Sequence, residues 1–216
     1  MRNKVLQVFR KRGEPEPGVV FDVGSNVGQS IREFRAVWPH ARIYGFEPVR
    51  ATFDKLAAAT NGDFQITVTN AGASRRPGSA VMTSRGASTG NHIIPGAALT
   101  AGLEEVPLIC GDDFAAERGI DEIGFLKVDA EGHDLDALAG FSTMLREGRI
   151  RFVQVEVGVS PDNLKCVPLD RVCGFMFAMG YRLLGLYGFL PLATLRRRQP
   201  GRTVADYADA VFVAPD

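Results

Sequence analysis

Four carboxylates each sit at the end of a short apolar run. Asp22 follows Val19-Val20-Phe21, Glu47 follows Ile43-Tyr44-Gly45-Phe46, Asp129 follows Leu126-Lys127-Val128, and Glu156 follows Val153-Gln154-Val155. A carboxylate can accept hydrogen bonds from hydroxyl groups, hold a cation or take a proton. One such acid is unremarkable; four in the same relation to an apolar run are hard to assign to chance. Gly24-Ser25-Asn26-Val27-Gly28 follows the first of them. Glycines there let the backbone approach a ligand closely. His133 lies four residues after Asp129, directly beyond Gly132. An imidazole is the usual general base near neutral pH, so His133 and Asp129 are the candidate catalytic pair. A helix N-terminus lowers the pKa of such a ring, whereas a neighbouring carboxylate raises it and fixes the tautomer. The sequence leaves that balance open; a histidine facing solvent or capping the helix is the alternative, and the position one turn past Asp129 favours the functional reading.

The same acids suit a metal. Asp129 and Glu156, with His133, offer two carboxylates and an imidazole, a donor set for Mg²⁺ or Mn²⁺. Glu47 has a different expected role. An acid closing a second strand can accept both ribose hydroxyls of a nucleotide-like cofactor, or it can simply favour the helix start at Val49. Asp134 and Asp136 read as acids of a helix first turn. His40 reads as structural, and His92 lies in a glycine-rich middle section.

These side chains converge only if the strand ends share one edge. Val19 to Val23 reads as a strand, followed by a tight loop and the amphipathic segment Ile31 to Trp38. Ala41 to Phe46 is a second strand, Val49 to Ala59 a helix, and Phe64 to Thr69 a half-buried alternating strand. This βαβαβ run predicts an α/β fold with a parallel, doubly wound sheet, whose ligands bind at the carboxyl ends of the strands. Ile123 to Asp129 and Ile150 to Val155 are the fourth and fifth major strands, with a helix from His133 to Arg146 between them. Leu169 to Met179 is a helix, and Tyr181–Leu186 and Ala210–Ala214 are a closing strand pair. In the middle, Val81–Thr83 and Val106–Cys110 read as short strands, and Asp112 or Asp113 as the cap of a helix from Phe114. Residues 84–101 read as a lid or acceptor-recognition loop, residues 1–18 as a helix and linker, and residues 187–207 as an insertion. Arg196-Arg197-Arg198 within it reads as a solvated loop.

The 216 residues fit one α/β domain spanning 1–216, and 45% hydrophobic content suffices for one core. Lys+Arg and Asp+Glu are both 25, which gives no sign of a nucleic-acid partner. No apolar run is long enough for stable membrane insertion. Cys110, Cys166 and Cys173 form no paired framework, and the N-terminus lacks the pattern of a signal peptide, so a cytoplasmic location is expected. The apolar stretch Gly185 to Leu192 could form a homodimer contact or an acceptor wall. The Gly-x-Gly-x-x-Gly dinucleotide fingerprint and the Gly-Lys-Ser/Thr phosphate loop are absent.

The Asp22–Gly28 loop is instead similar to the first motif of class I S-adenosylmethionine (SAM) methyltransferases. The chain as a whole resembles the FkbM-type methyltransferases. The matching stretches are Phe21 to Gly28, Gly45-Phe46-Glu47-Pro48, Asn70-Ala71-Gly72-Ala73-Ser74, Leu126 to Asp134 and Val153 to Glu156. The resemblance implies a Rossmann-like sheet of seven strands in the order 3-2-1-4-5-7-6, the last antiparallel, with helices on both faces. It implies that Gly24, Ser25, Asn26 and Gly28, with Asp22 at their base, wrap the methionine part of SAM. It places Glu47 on the ribose and Asn70 and Ala71 by the adenine. Cys110-Gly111-Asp112-Asp113 departs from the more familiar family pattern, so the resemblance assigns Asp112 no catalytic role.

The expected activity is SAM-dependent O-methylation of a small hydroxylated acceptor, a sugar, oligosaccharide or glycosylated metabolite. His133 would take the hydroxyl proton and Asp129 would orient it or bind Mg²⁺. The alternatives are a nicotinamide-dependent oxidoreductase on the same sheet, and a SAM-binding module without catalysis.

Overall fold

The computed structural model describes residues 4–85, 90–163, 165–191 and 205–215. In chain order the elements are α1 (Lys4–Arg12), β1 (Val19–Val23), α2 (Gln29–Val37), β2 (Arg42–Phe46), α3 (Arg50–Thr60), β3 (Ile66–Thr69), β4 (Gly72–Ala73), β5 (Gly78–Thr83) and β6 (Leu103–Ile109). They continue with α4 (Gly111–Glu117), β7 (Ile123–Val128), α5 (Asp134–Ala139), α6 (Ser142–Arg146), β8 (Ile150–Gly158), α7 (Leu169–Ala178), β9 (Arg182–Pro191) and β10 (Ala205–Val213).

The main sheet has seven strands in the order β3-β2-β1-β7-β8-β10-β9. The first five run parallel, and β10 is antiparallel to both of its neighbours. This is the expected doubly wound order with its last strand reversed. Every residue of β1 is buried, as a central strand covered on both faces requires. The strand period of two then sends its side chains to two separate cores. Val19, Phe21 and Val23 join the core beneath α4 to α7, whereas Val20 packs with Ile31, Phe34 and Leu56 on the other side.

α1 has nine residues, too short to persist alone. It holds because Val5, Leu6 and Phe9 are buried, each contributing about 1.5–3 kcal/mol. The Phe9 ring lies edge-on to Phe152 and Phe125, at 4.5 and 5.3 Å. The helix therefore closes the face below β7 and β8. Among the described residues, no helix is long and apolar enough to cross a membrane.

Four local expectations change. First, β4, β5 and β6 form a separate three-stranded sheet, ordered β4-β6-β5. It packs through Met82 and Val106 onto Val49. The described part of 84–101 is tied to it, since Ile93 bridges Met82 and Thr83 accepts the His92 N–H at its hydroxyl. Second, the helix expected from His133 to Arg146 is two helices. The Gly140 carbonyl accepts from the Asp112 N–H and the Cys110 thiol. It is turned out of the helical ladder there, and Phe141 enters the core against Phe21. Third, Asp112 and Asp113 lie in the first turn of α4, not at its cap. Asp112 instead accepts the Thr143 and Met144 N–H groups at 2.8 and 3.1 Å, capping α6 from outside. Fourth, β9 and β10 are longer than the expected pair, so 187–191 and 205–207 of the expected insertion are strand. Arg196, Arg197 and Arg198 lie outside the described residues.

Candidate functional site

The loop after β1 is shaped by three left-handed residues: Gly24 at φ 82°, Asn26 at 49° and Gly28 at 85°. A side chain at Gly24 has no room. A Cβ there would lie 1.9 Å from the Asp129 carbonyl oxygen, far inside any van der Waals contact. The Gly24 and Ser25 N–H groups both donate to the Phe46 carbonyl at 3.0 Å, so the loop is sewn to the end of β2. Glu47 continues that seam. Its Oε2 accepts the Asn26 N–H and its Oε1 the Val49 N–H, each at 3.0 Å. Burial pushes this carboxyl up to about 7 despite those two bonds. Asn70 donates its side-chain amide to the Glu47 and Pro48 carbonyls at 3.0 and 2.8 Å, fixing the turn from which Glu47 projects.

The floor of the site is a polar row in an apolar sheet. Asp22, Lys127 and Gln154 are direct partners across β1, β7 and β8. Lys127 donates to Asp129 Oδ2 at 3.0 Å and stands 3.6 Å from Asp22 Oδ1. Burial works against the Lys127 charge, but Asp129 and Asp22 outweigh it and hold the ammonium protonated. Asp22 is fully buried and accepts from the Ser30 hydroxyl at 2.5 Å. Farther along, Gln154 donates to Asp209 Oδ1 at 2.8 Å.

The turn after β7 carries the remaining groups. Glu131 at φ 49° and Gly132 at φ 93° are both left-handed. Asp134 holds this turn by accepting the Ala130 and Gly132 N–H groups at 2.8 and 3.1 Å. His133 Nε2 lies 3.2 Å from the Ser74 hydroxyl, and Nδ1 lies 3.8 Å from Asp136. Burial lowers the His133 pKa against the pull of Asp136, so the ring is neutral at pH 7. Burial, with Asp129 nearby, raises Glu131 to about 7 and Glu156 to about 8. Glu156 also accepts from the Cys166 thiol at 3.4 Å.

These groups open onto one groove of about 560 Å³, within the ~300–1,000 Å³ range of small-molecule sites. Its walls include Gly24, Ser25, Asn26, Glu47, Asp129, His133 and Glu156, all expected from the sequence. Asp22, Gly28, Asn70 and Ala71, also expected, are not part of this lining, whereas Gly72 and Ala73 are. Asp129 pairs with Lys127, so Ser74 and Asp136, not Asp129, set the orientation of His133. Among the described residues no three metal-ligating side chains converge. The donor set also fits a divalent ion poorly. The Lys127 ammonium already occupies the cation position at Asp129, and burial raises the Glu156 pKa to about 8, which disfavours its charged form. The Mg²⁺ expectation on Asp129 and Glu156 is not supported.

Residues 22–183 match the family profile of the methyltransferase FkbM domain. The chain belongs to that family. Hexuronic acid methyltransferase AglP of Haloferax volcanii is 28% identical to this FkbM domain over 175 residues, covering 74% of the chain and 64% of the relative. The chain therefore spans about 64% of that curated relative's length. Among solved structures, an FkbM methyltransferase from Methylobacillus flagellatus KT superposes at TM-score 0.59 with 18% identity, over 92% of this chain and 44% of that one. A precorrin-6y methyltransferase from Geobacter metallireducens superposes at TM-score 0.54 with 10% identity, over 99% and 88%. At such identities these structures establish the fold.

Lys127, Gln154, Asp209 and Glu131 also line the groove of this FkbM domain and were not singled out from the sequence. A signal was present for two of them. Lys127 and Gln154 interrupt Phe125–Val128 and Phe152–Val155, which are otherwise apolar runs of buried strands. A polar residue inside such a run is the informative exception.

Proposed function

We propose that the protein is a SAM-dependent O-methyltransferase acting on a hydroxyl of a carbohydrate-containing acceptor. The observation that carries the reading is the junction of β1 and β2. A loop whose Gly24 admits no side chain adjoins Glu47, whose two oxygens each accept one backbone N–H. Each oxygen keeps a lone pair, which matches two adjacent ribose hydroxyls. The Asn26 Oδ1 beside it is buried without a hydrogen-bond partner, an acceptor that a ligand amino group would satisfy. These residues fit SAM. The curated FkbM relative, whose name gives hexuronic acid as its substrate, supports a sugar acceptor.

Bound SAM would supply an electrophilic methyl group. The acceptor hydroxyl must lose its proton as it attacks, and His133 is placed to take it. Asp136 favours the tautomer with the proton on Nδ1. In that tautomer Nε2 is the basic nitrogen, and it lies 3.2 Å from the Ser74 hydroxyl. Neutral at pH 7, His133 is ready to bind that proton. Asp129 and Lys127 stiffen the strand end beside it. We place the activity in the cytoplasm, where the three unpaired cysteines stay reduced.

Calorimetric titration with S-adenosylhomocysteine (SAH), with NAD⁺ as control, tests the reading, followed by transfer of labelled methyl from SAM to a panel of sugars. Micromolar SAH binding, no NAD⁺ binding and methyl ether products are expected. A folded sample that ignores SAH overturns it.

A further inference from the structure

The groove extends well past the cofactor loop. Its far end is built by β8, β9 and β10, where Gln154, Gly188, Phe189 and Asp209 line it. Gln154 is 2% exposed, and its Oε1 has no hydrogen-bond partner. An amide oxygen left so costs about 1–3 kcal/mol, and such groups normally have a ligand or water partner. Gln154 Nε2 is committed to Asp209 Oδ1, which fixes the amide with Oε1 unused. Phe189 is 52% exposed although it lines the groove. A half-exposed ring above convergent polar groups suits a ligand with one apolar face and a rim of hydroxyls.

The ionisable groups are mostly acidic. Asp129, Glu131, Glu156 and Asp209 all line the groove. Among the described residues its lysines are Lys127 and Lys4. Lys127 is already shared between Asp22 and Asp129. Lys4 is exposed, where solvent and salt weaken its reach.

We propose that the β8–β10 end of the groove is the acceptor subsite and that it takes an uncharged sugar ring rather than a uronate. Gln154 Oε1 and the Asp209 carboxylate accept from ring hydroxyls, and Phe189 covers the ring's apolar face. An acceptor carboxylate would be brought among four acidic side chains, where the cations among the described groove residues are the already paired Lys127 and the exposed Lys4. This inference rests on the methyl-transfer reading and narrows its acceptor.

The test uses the full chain saturated with SAH. Methyl glucopyranoside and methyl glucuronopyranoside are titrated in turn at pH 8 and followed by saturation-transfer NMR. The neutral glycoside is expected to bind about tenfold or more tightly than the uronate. Gln154→Met and Phe189→Ala are each expected to weaken the neutral glycoside about tenfold and to leave SAH affinity unchanged. The exposed position of Phe189 lets that variant fold whatever happens at Gln154. Equal or tighter uronate binding, no binding of either glycoside by the SAH-bound protein, or unchanged glycoside affinity in both variants overturns the inference. A folded protein that does not bind SAH is a different result, and it removes the methyl-transfer reading as well.

Discussion

The α-carbon of Gly24 faces the carbonyl oxygen of Asp129 so closely that an added Cβ would lie 1.9 Å from it. The loops leaving β1 and β7 therefore touch through bare backbone. Gly24→Ala must both push these loops apart and hold alanine at φ 82°. The expected cost is on the order of 3 kcal/mol, read as a lower urea midpoint, with SAH binding lost or weakened at least tenfold. Wild-type stability and affinity would mean that the two loops are free to separate.

His133→Ala is expected to lower kcat by about 10²–10⁴-fold with SAH affinity retained. Because burial holds the His133 pKa below its ordinary 6.5, wild-type kcat should be on its plateau at pH 7 and fall only under more acid conditions. Wild-type turnover in the variant would remove His133 as the base.

Glu47, Glu131 and Glu156 have raised pKa values of about 7, 7 and 8 in the folded protein. Unfolded, they return to about 4.3. Between those limits the native state binds more protons than the unfolded one, so unfolding free energy falls as pH rises. The lowered His133 pKa works the other way, but Asp134 and Asp209, also raised by burial, act in the same sense as the three glutamates. The unliganded protein is therefore expected to melt at a higher temperature at pH 5.5 than at pH 8, measured by scanning calorimetry. Ribose hydroxyls need the Glu47 carboxylate, so the increase in Tm given by SAH should be larger at pH 8 than at pH 6. An SAH effect independent of pH would take the ribose away from Glu47.

Lys127→Met leaves Asp22, which is fully buried, without its cation. Breaking a buried pair in this way costs about 3–5 kcal/mol, to be measured by urea unfolding. The same ammonium fills the place that a metal would take at Asp129. Chelation with EDTA should therefore leave wild-type turnover unchanged; a loss restored by Mg²⁺ would return a metal to the site.

Features that depend on local pattern were legible in the residues alone. Apolar runs ending in Asp22, Glu47, Asp129 and Glu156 marked strands whose ends share one edge, because a parallel sheet puts all its carboxyl ends on one side. Gly24 and Gly28 marked the tight loop, because only residues tolerant of positive φ can make it. The seven-strand order came from the family resemblance of those stretches, not from periodicity. Tertiary structure alone decided the partners. Whether Asp129 meets His133 or Lys127 depends on which face of the turn each side chain takes, and Asp134 fixes that by capping the turn from within. The break at Gly140 follows from contacts with Ser74, Cys110 and Asp112, all distant along the chain. The pairing of Gln154 with Asp209 spans 55 residues. No pattern within β8 or β10 registers one strand against the other. That register is set by packing the whole sheet, and it places the polar floor beneath the groove.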